Sequence, residues 1–258
     1  MTLALTSRQG CVFSESTIAN LLNPDKSGDN PTFYSVSGCP EKLFAQMIRL
    51  GSFAREFELA ANMTCVQFNM APVLAVEQTI REWSDPQYDV SLAQYAPDGP
   101  LGANESSDGE GPDLGDLMHY KEDLHHCAEA WRYALLLYIE RVFKWQRDQP
   151  RSPILPLLAR RVLNHMSCCR RTSMVQKQLL LPVFLAGCET EDENLREEAR
   201  MYCTWWGEKT RYDMFITAIG LLEEVWANTD PLAWWGSIMD RKSAANANSS
   251  SPRQYLFG

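Results

Sequence analysis

A chain of 258 residues with 45% hydrophobic and 22% charged residues has the composition of a globular protein, which excludes disorder of the whole chain. At this length roughly 70–75% of the unfolded surface is buried on folding, enough for one large domain or two small ones. The net charge of −9, from 33 acidic against 24 basic residues, argues against a nucleic-acid surface unless the basic residues cluster.

Along the chain, helical periodicity dominates. From Glu41 to Ala61, the residues Leu43, Met47, Leu50, Ala54 and Phe57 fall on one stripe, which predicts a helix with one buried face. Before it, Ser37-Gly38-Cys39-Pro40 reads as turn and cap chemistry. Val73 to Trp83 predicts a shorter helix after Pro72. Ala96 to Asp116, "APDGPLGANESSDGEGPDLGD", is too poor in apolar residues to fold and reads as a disordered acidic connection.

The clearest element runs from about Leu117 to Trp145. Leu124, Cys127, Trp131, Leu135, Tyr138, Val142 and Trp145 follow at steps of three and four, and Pro150 and Pro153 mark its end. Ile154 to Cys169 predicts the next helix. Ser173 and Gln176 then have capping-box spacing, and Pro182 predicts a kink or break near Gln178.

The apolar run "PVFLAG" gives way at Gly187 to the acid-rich stretch from Glu189 to Glu198. Gly187 sits where a left-handed C-terminal cap is expected, and Thr190 precedes Glu193 at capping-box spacing. Acidic residues in a first helical turn are favoured by the macrodipole. A helix is predicted from Tyr212 to Asn228, and Asp230-Pro231 reads as the start of another. Ser243 to Pro252, "SAANANSSSP", is low in complexity, while the closing "RQYLFG" is apolar enough to dock on a core. With no convincing alternating β-pattern and no internal repeat, the fold class is all-α: an irregular multi-helix domain with a disordered acidic internal linker.

The acidic stretch invites a second reading, a magnesium site of the isoprenoid-synthase kind. Such a site needs carboxylates converging on one volume, whereas Glu191, Asp192 and Glu193 are consecutive and diverge on a helix. A His/Cys zinc site among His119, His125, His126, His165, Cys127, Cys168 and Cys169 meets the same objection, since His125 and Cys127 are two apart. The eight cysteines contain no close CxxC pair, and several lie inside apolar helical patterns, where a reduced cysteine reads as a small hydrophobe. No GxSxG, Walker, GxGxxG or HExxH pattern occurs. Neither catalytic, cofactor-binding nor metal residues are therefore assigned, no cofactor is expected, and the chain reads as a non-enzyme.

Arg160-Arg161 and Arg170-Arg171, with Lys177 beyond, read as a solvated helix face. Without a signal peptide or an apolar run of about 18 residues, the chain reads as soluble and intracellular, with no membrane partner. The Asn-x-Ser/Thr triplets at Asn62, Asn104 and Asn248 are then chance matches.

The second half resembles a known family. "LLLPVFLAGCETEDENLREEAR", from Leu179 to Arg200, is followed by "YCTWWGEKTRYDMFITAIGLLEEVWA", from Tyr202 to Ala227. Together they resemble the regulatory domain of fungal-specific transcription factors, the helical partner of binuclear zinc-cluster DNA-binding domains. "HHCAEAWRYALLLYIERVF", from His125 to Phe143, is similar to the family's central helix. Trp234-Trp235 and the terminal "LFG" also fit. A zinc cluster needs six cysteines in two close sets, and Cys11 and Cys39 are too isolated to begin one.

The resemblance implies a single, partial regulatory domain over residues 1–258, with 96–116 as a linker within it and 243–252 as a low-complexity segment. It implies a transcriptional regulator of fungal type, nuclear, reaching DNA only through a module absent from this chain. Its expected partners are the transcription machinery, a second copy, or a small-molecule effector in an apolar groove between the Trp131 and Trp226 helices. Trp226 is expected in the core, with truncation to alanine costing ~3–5 kcal/mol. The alternatives are a DNA-independent helical adaptor, with Ser106 or Ser107 as phosphorylation sites, and an α-helical isoprenoid-type enzyme.

Overall fold

The computed structural model describes Thr6, Arg8, Tyr34 and residues 37–85, 114–146, 149–230 and 234–247. Eight α-helices and no strand occur among these residues: α1 Glu41–Ala61, α2 Ala71–Glu82, α3 Leu114–Ile139, α4 Ile154–Cys168, α5 Leu180–Glu189, α6 Glu193–Thr210, α7 Asp213–Ala227 and α8 Trp235–Ala247. The fold is all-α.

The periodic segments are helical where periodicity placed them. On α1, Leu43, Met47, Leu50 and Ala54 are buried, and Phe57 packs edge-on to Phe68 and Phe143. The turn before α1 needs glycine: Gly38 has a φ of +64°, and a Cβ there would sit 2.5 Å from the Gln178 Cβ. Ser37 Oγ accepts from the Cys39 N–H, and Pro40 begins the helix without a side-chain cap.

α3 is 26 residues long and packs against α1, α2, α4 and α5. It closes in a π-turn over Glu140–Lys144, where the Trp145 N–H reaches back to the Glu140 carbonyl at 3.0 Å. Periodicity does not reveal this turn, because an inserted residue shifts only the last positions of the stripe.

The centre of the molecule is α5. Every residue from Leu180 to Glu189 is buried, under α3, α4, α6 and α7. A helix apolar on all sides has no solvent face, so it belongs inside. The break predicted before Pro182 is present: a 3-10 turn, Gln176–Leu179, precedes α5. Pro182 is then the third residue of α5, where its missing N–H would have had no intrahelical partner.

Two cap assignments fail at this centre. Only the backbone N–H of Gln176 reaches back, to the Ser173 carbonyl; its side chain donates to the Met166 and Cys169 carbonyls and accepts from the Trp206 indole at 3.0 Å. A buried amide that meets carbonyls with spare acceptor capacity at the end of α4 is better satisfied there than in a local cap. Gly187 is not a left-handed cap either, since it lies inside α5 with ordinary helical backbone. What it supplies is closeness, because an added Cβ would lie 2.8 Å from Leu222 Cδ2 on α7.

The acidic stretch does start a helix, but its cap lies two positions beyond the one the capping box predicts. Asp192 caps α6 by accepting the Asn194 N–H at 3.0 Å, while Thr190 Oγ1 accepts from the Asp192 N–H. An Asp at the cap outcompetes a Thr two residues earlier, since its carboxylate reaches the same donors with a full charge. The far end of α6 closes on Arg211, left-handed at φ +58°.

The last helix runs through Ala247, so residues 243–247 of the low-complexity segment are helical; 248–252 and the closing "RQYLFG" lie outside the described residues. Residues 114–116 of the acidic connection already belong to α3, and the rest of 96–116 also lies outside. α8 begins at Trp235, too far on for Asp230 to cap it, and Pro231 is not described. Arg8, buried, ties α8 to α1 through Asp240 at 2.5 Å and Glu58 at 2.9 Å.

Filling the Gly187 contact tests this packing. Gly187→Val should destabilise the fold by ~1–3 kcal/mol through overpacking against Leu222. Gly187→Ala should cost less, because only the tip of a leucine must move. A thermal midpoint unchanged in both variants would show that α5 and α7 are not in close contact.

Candidate functional site

Where α5 ends, a charge is buried. Glu189 is fully enclosed, and its Oε1 lies 3.0 Å from Arg141 Nε in the π-turn of α3. The Arg141 guanidinium sits 4.0 Å from the Trp145 ring centre and 5.6 Å from that of Trp234. Glu189 Oε2 has no hydrogen-bond partner among the described residues. Burial pushes the Glu189 carboxyl up to about 7 against the pull of Arg141, and pushes the Arg141 guanidinium down for the same reason.

Outward from this pair, the chain leaves α5 through Thr190 and opens into a groove of about 550 Å³. Arg151, Cys188, Glu191, Arg196, Trp226 and Asp230 are among its walls. That volume falls in the range of small-molecule pockets. Trp226 is partly buried and donates its indole N–H to the Gly187 carbonyl at 2.8 Å, one of the free carbonyls in the last turn of α5. Arg196 and Arg200 lie 5.5 and 5.1 Å from the Trp226 ring centre. Arg196 also donates to the Thr190 carbonyl and to Glu193.

Trp226 is thus a groove wall rather than a core residue, and the groove does not run between the Trp131 and Trp226 helices as the sequence suggested. Trp131 is buried within the core on α3. The other wall comes from Pro150-Arg151 and the α5–α6 connection.

The three consecutive acids do not converge. Glu191 faces Arg151 at 3.9 Å, Asp192 binds Arg160 at 2.8 Å, and Glu193 pairs with Arg196 at 2.8 Å. The Arg160 hydrogen bond, with the Asn194 N–H, holds the Asp192 carboxyl below its usual range. Each carboxylate meets its own guanidinium, so the stretch works as a helix start with salt links. No group of three or more metal-ligating side chains occurs among the described residues.

The histidines divide in a way spacing did not show. His119 pairs with Glu122, and His125 lies 3.6 Å from Asp85. His126 Nδ1 and His165 Nδ1 meet at 3.1 Å between α3 and α4, beside the Tyr133 ring. Burial lowers both, His165 to about 4, so both rings are neutral near pH 7 and one shares its proton with the other. Sequence gives no signal for a contact across 39 positions. Cys127 turns the other way, donating to the Gly38 carbonyl, and Cys39, Cys127, Cys169, Cys188 and Cys203 are all buried. Burial raises each of these thiols, that of Cys203 to about 12, which leaves them protonated.

The basic pairs are only partly a solvated face. Arg160 reaches Asp192, Arg161 reaches Tyr133, and Arg170 binds the buried Asp123 at 2.9 Å.

A family model for the fungal-specific transcription factor domain matches residues 3–247. The chain belongs to this family. The match agrees with an all-helical scaffold serving transcription regulation. No curated protein and no solved structure matches the chain. No helix among the described residues of the domain is long and apolar enough to cross a membrane.

Two measurements test this region of the domain. The folded chain holds the Glu189 proton to higher pH than an unfolded chain, whose carboxyl titrates near the ordinary 4.5. Glu189 therefore contributes stability that is complete below about 4.5 and lost as pH rises through about 7. The stability of the natural chain relative to Glu189→Gln should fall across that window in denaturant titrations. A difference independent of pH would place the Glu189 pKa at its unfolded value. Separately, Trp226→Phe keeps a ring but loses the bond to Gly187, and should cost ~0.5–1.5 kcal/mol. A loss of ~3 kcal/mol or more would instead restore Trp226 to the core.

Proposed function

We propose that the chain is the regulatory domain of a fungal-type transcription regulator, a nuclear, non-enzymatic scaffold that reaches DNA through a separate zinc-cluster module. The family match across residues 3–247 carries this reading. The groove supports its regulatory part. Its walls offer two guanidinium groups, an indole and polar side chains beside Asp230, all of them binding groups. An occupant with an anionic end and a flat apolar body suits them: the anion pairs with Arg151 and the body lies along Trp226. Such an occupant bears on the end of α5, because Trp226 holds the Gly187 carbonyl there.

The test is to fuse the chain to an unrelated sequence-specific DNA-binding module in a fungal host. The reporter should have an intermediate basal level, so that activation and repression are both visible. Transcription should change severalfold relative to the module alone, and Arg151→Ala with Arg196→Ala should alter that response. A fusion that leaves the reporter at the level of the module alone would overturn the proposal.

A further inference from the structure

The far end of α6 carries a second surface that the groove does not use. Four cations gather there: Arg171 and Lys177 from the connection between α4 and α5, and Lys209 and Arg211 from the end of α6. Trp205 donates its indole N–H to the Arg171 carbonyl at 3.1 Å. Lys209 Nζ lies 5.8 Å from the Trp205 ring centre, and Lys177 Nζ lies 5.8 Å from that of Tyr212. Tyr202 ties the two segments together by donating to the Gln176 and Lys177 carbonyls at 3.0 Å.

None of these four cations forms an ion pair among the described residues. The contrast is with Arg160, Arg170, Arg196 and Arg200, each of which holds a carboxylate. Lys42, Arg49, Arg55 and Lys121 also form no ion pair among the described residues, so what sets these four apart is their place beside exposed aromatic rings on two neighbouring segments. The macrodipole of α6 accounts for Lys209 and Arg211, which sit at its negative end. It does not account for Arg171 and Lys177, which lie on another segment. Glu208 and Asp213 are close in sequence and pair with none of the four.

The same face is apolar as well as basic. Trp205, Tyr212 and Met174 are 39%, 50% and 55% exposed. Beside Trp205 is a pocket of about 70 Å³ whose walls include Met166, Met201 and Tyr202 together with Arg171 and Glu198, the Glu198 carboxylate being held by the Ser167 hydroxyl. It has room for the end of one apolar side chain, several times the ~10–15 Å³ that a water needs.

We propose that this face docks an acidic peptide segment of a partner protein, with a bulky apolar side chain in the pocket beside Trp205. Carboxylates of the peptide supply the partners that Arg171, Lys177, Lys209 and Arg211 lack, and the ring or branched side chain covers exposed Met201 and Trp205. A nucleic acid fits less well: the overall charge of −9 repels a polyanion at long range, and a phosphate backbone leaves the pocket beside Trp205 empty. The reading stands apart from the groove and from the regulatory assignment, since it is measured as direct binding.

The experiment uses the full chain and a short fluorescent peptide of Asp and Glu around a central Phe-Leu pair, followed by anisotropy. Saturable binding is expected, weakening as salt rises. Lys177→Glu with Lys209→Glu should weaken it by about tenfold or more, as should replacing the Phe-Leu pair with Ala-Ala. Lys209 is exposed and Lys177 half-buried, and neither holds an ion pair, so an unchanged helical melting curve should accompany the loss. Failure to bind, binding that the charge reversal leaves unchanged, or stronger binding of a single-stranded oligonucleotide would each overturn the proposal.

Discussion

The buried Arg141–Glu189 pair is the constraint around which the domain is built. α5 is apolar on every side and must be enclosed, yet it ends on a carboxylate. Desolvating that group is costly unless an opposite charge comes with it. Arg141 comes from the one place where α3 departs from regular helix, the π-turn at Glu140–Lys144. Trp145 and Trp234 then cover its guanidinium. Several features follow from the pair: α3 cannot end as an ordinary helix, Trp234 is drawn in just before α8, and α5 is fixed along its axis.

A pair of this kind is poor evidence for stability. Replacing it by apolar residues of similar volume often leaves a fold as stable, whereas removing one partner alone is strongly destabilising. Register is its more natural role. An all-apolar helix among apolar neighbours can slide or rotate with little penalty, and a single buried charge with one partner forbids that. The same fixed end sets the groove, since Glu191 and Arg196 begin two and seven residues after Glu189 and Trp226 holds the Gly187 carbonyl.

Sequence made the helices legible because their burial is one-sided. Leu43, Met47, Leu50 and Ala54 repeat at helical steps since only one face of α1 meets the core, and the break before Pro182 follows from the missing donor of proline. What stayed hidden depends on distant partners. Gln176 has capping spacing but finds better acceptors at the end of α4 and a donor in Trp206. Gly187 stands where a cap is common, and only the approach of Leu222 shows why a side chain is excluded. Glu189 reads as one more acid in a solvated run, because nothing local marks it as the buried member. Sequence points to the wrong pair of helices for the groove for a related reason: Trp131 and Trp226 look alike in sequence, and one is core while the other is wall.

α6 connects the two surfaces. Its first turn contributes Arg196 to the groove, and its last two turns contribute Trp205 and Lys209 to the basic face, over a helix of 18 residues, ~27 Å long. Between them Tyr202 and Trp206 are held by backbone carbonyls and by Gln176. A helix pinned in its middle does not bend easily, and packed interfaces shift between discrete arrangements rather than deforming smoothly. An occupant that pulls on Arg196 therefore acts on the whole of α6, and through the Trp206–Gln176 bond on the connection that carries Arg171 and Lys177. Coupling of the two surfaces requires that this bond, buried and fully formed, have a second arrangement of comparable energy; without one, groove and basic face act independently on a rigid scaffold.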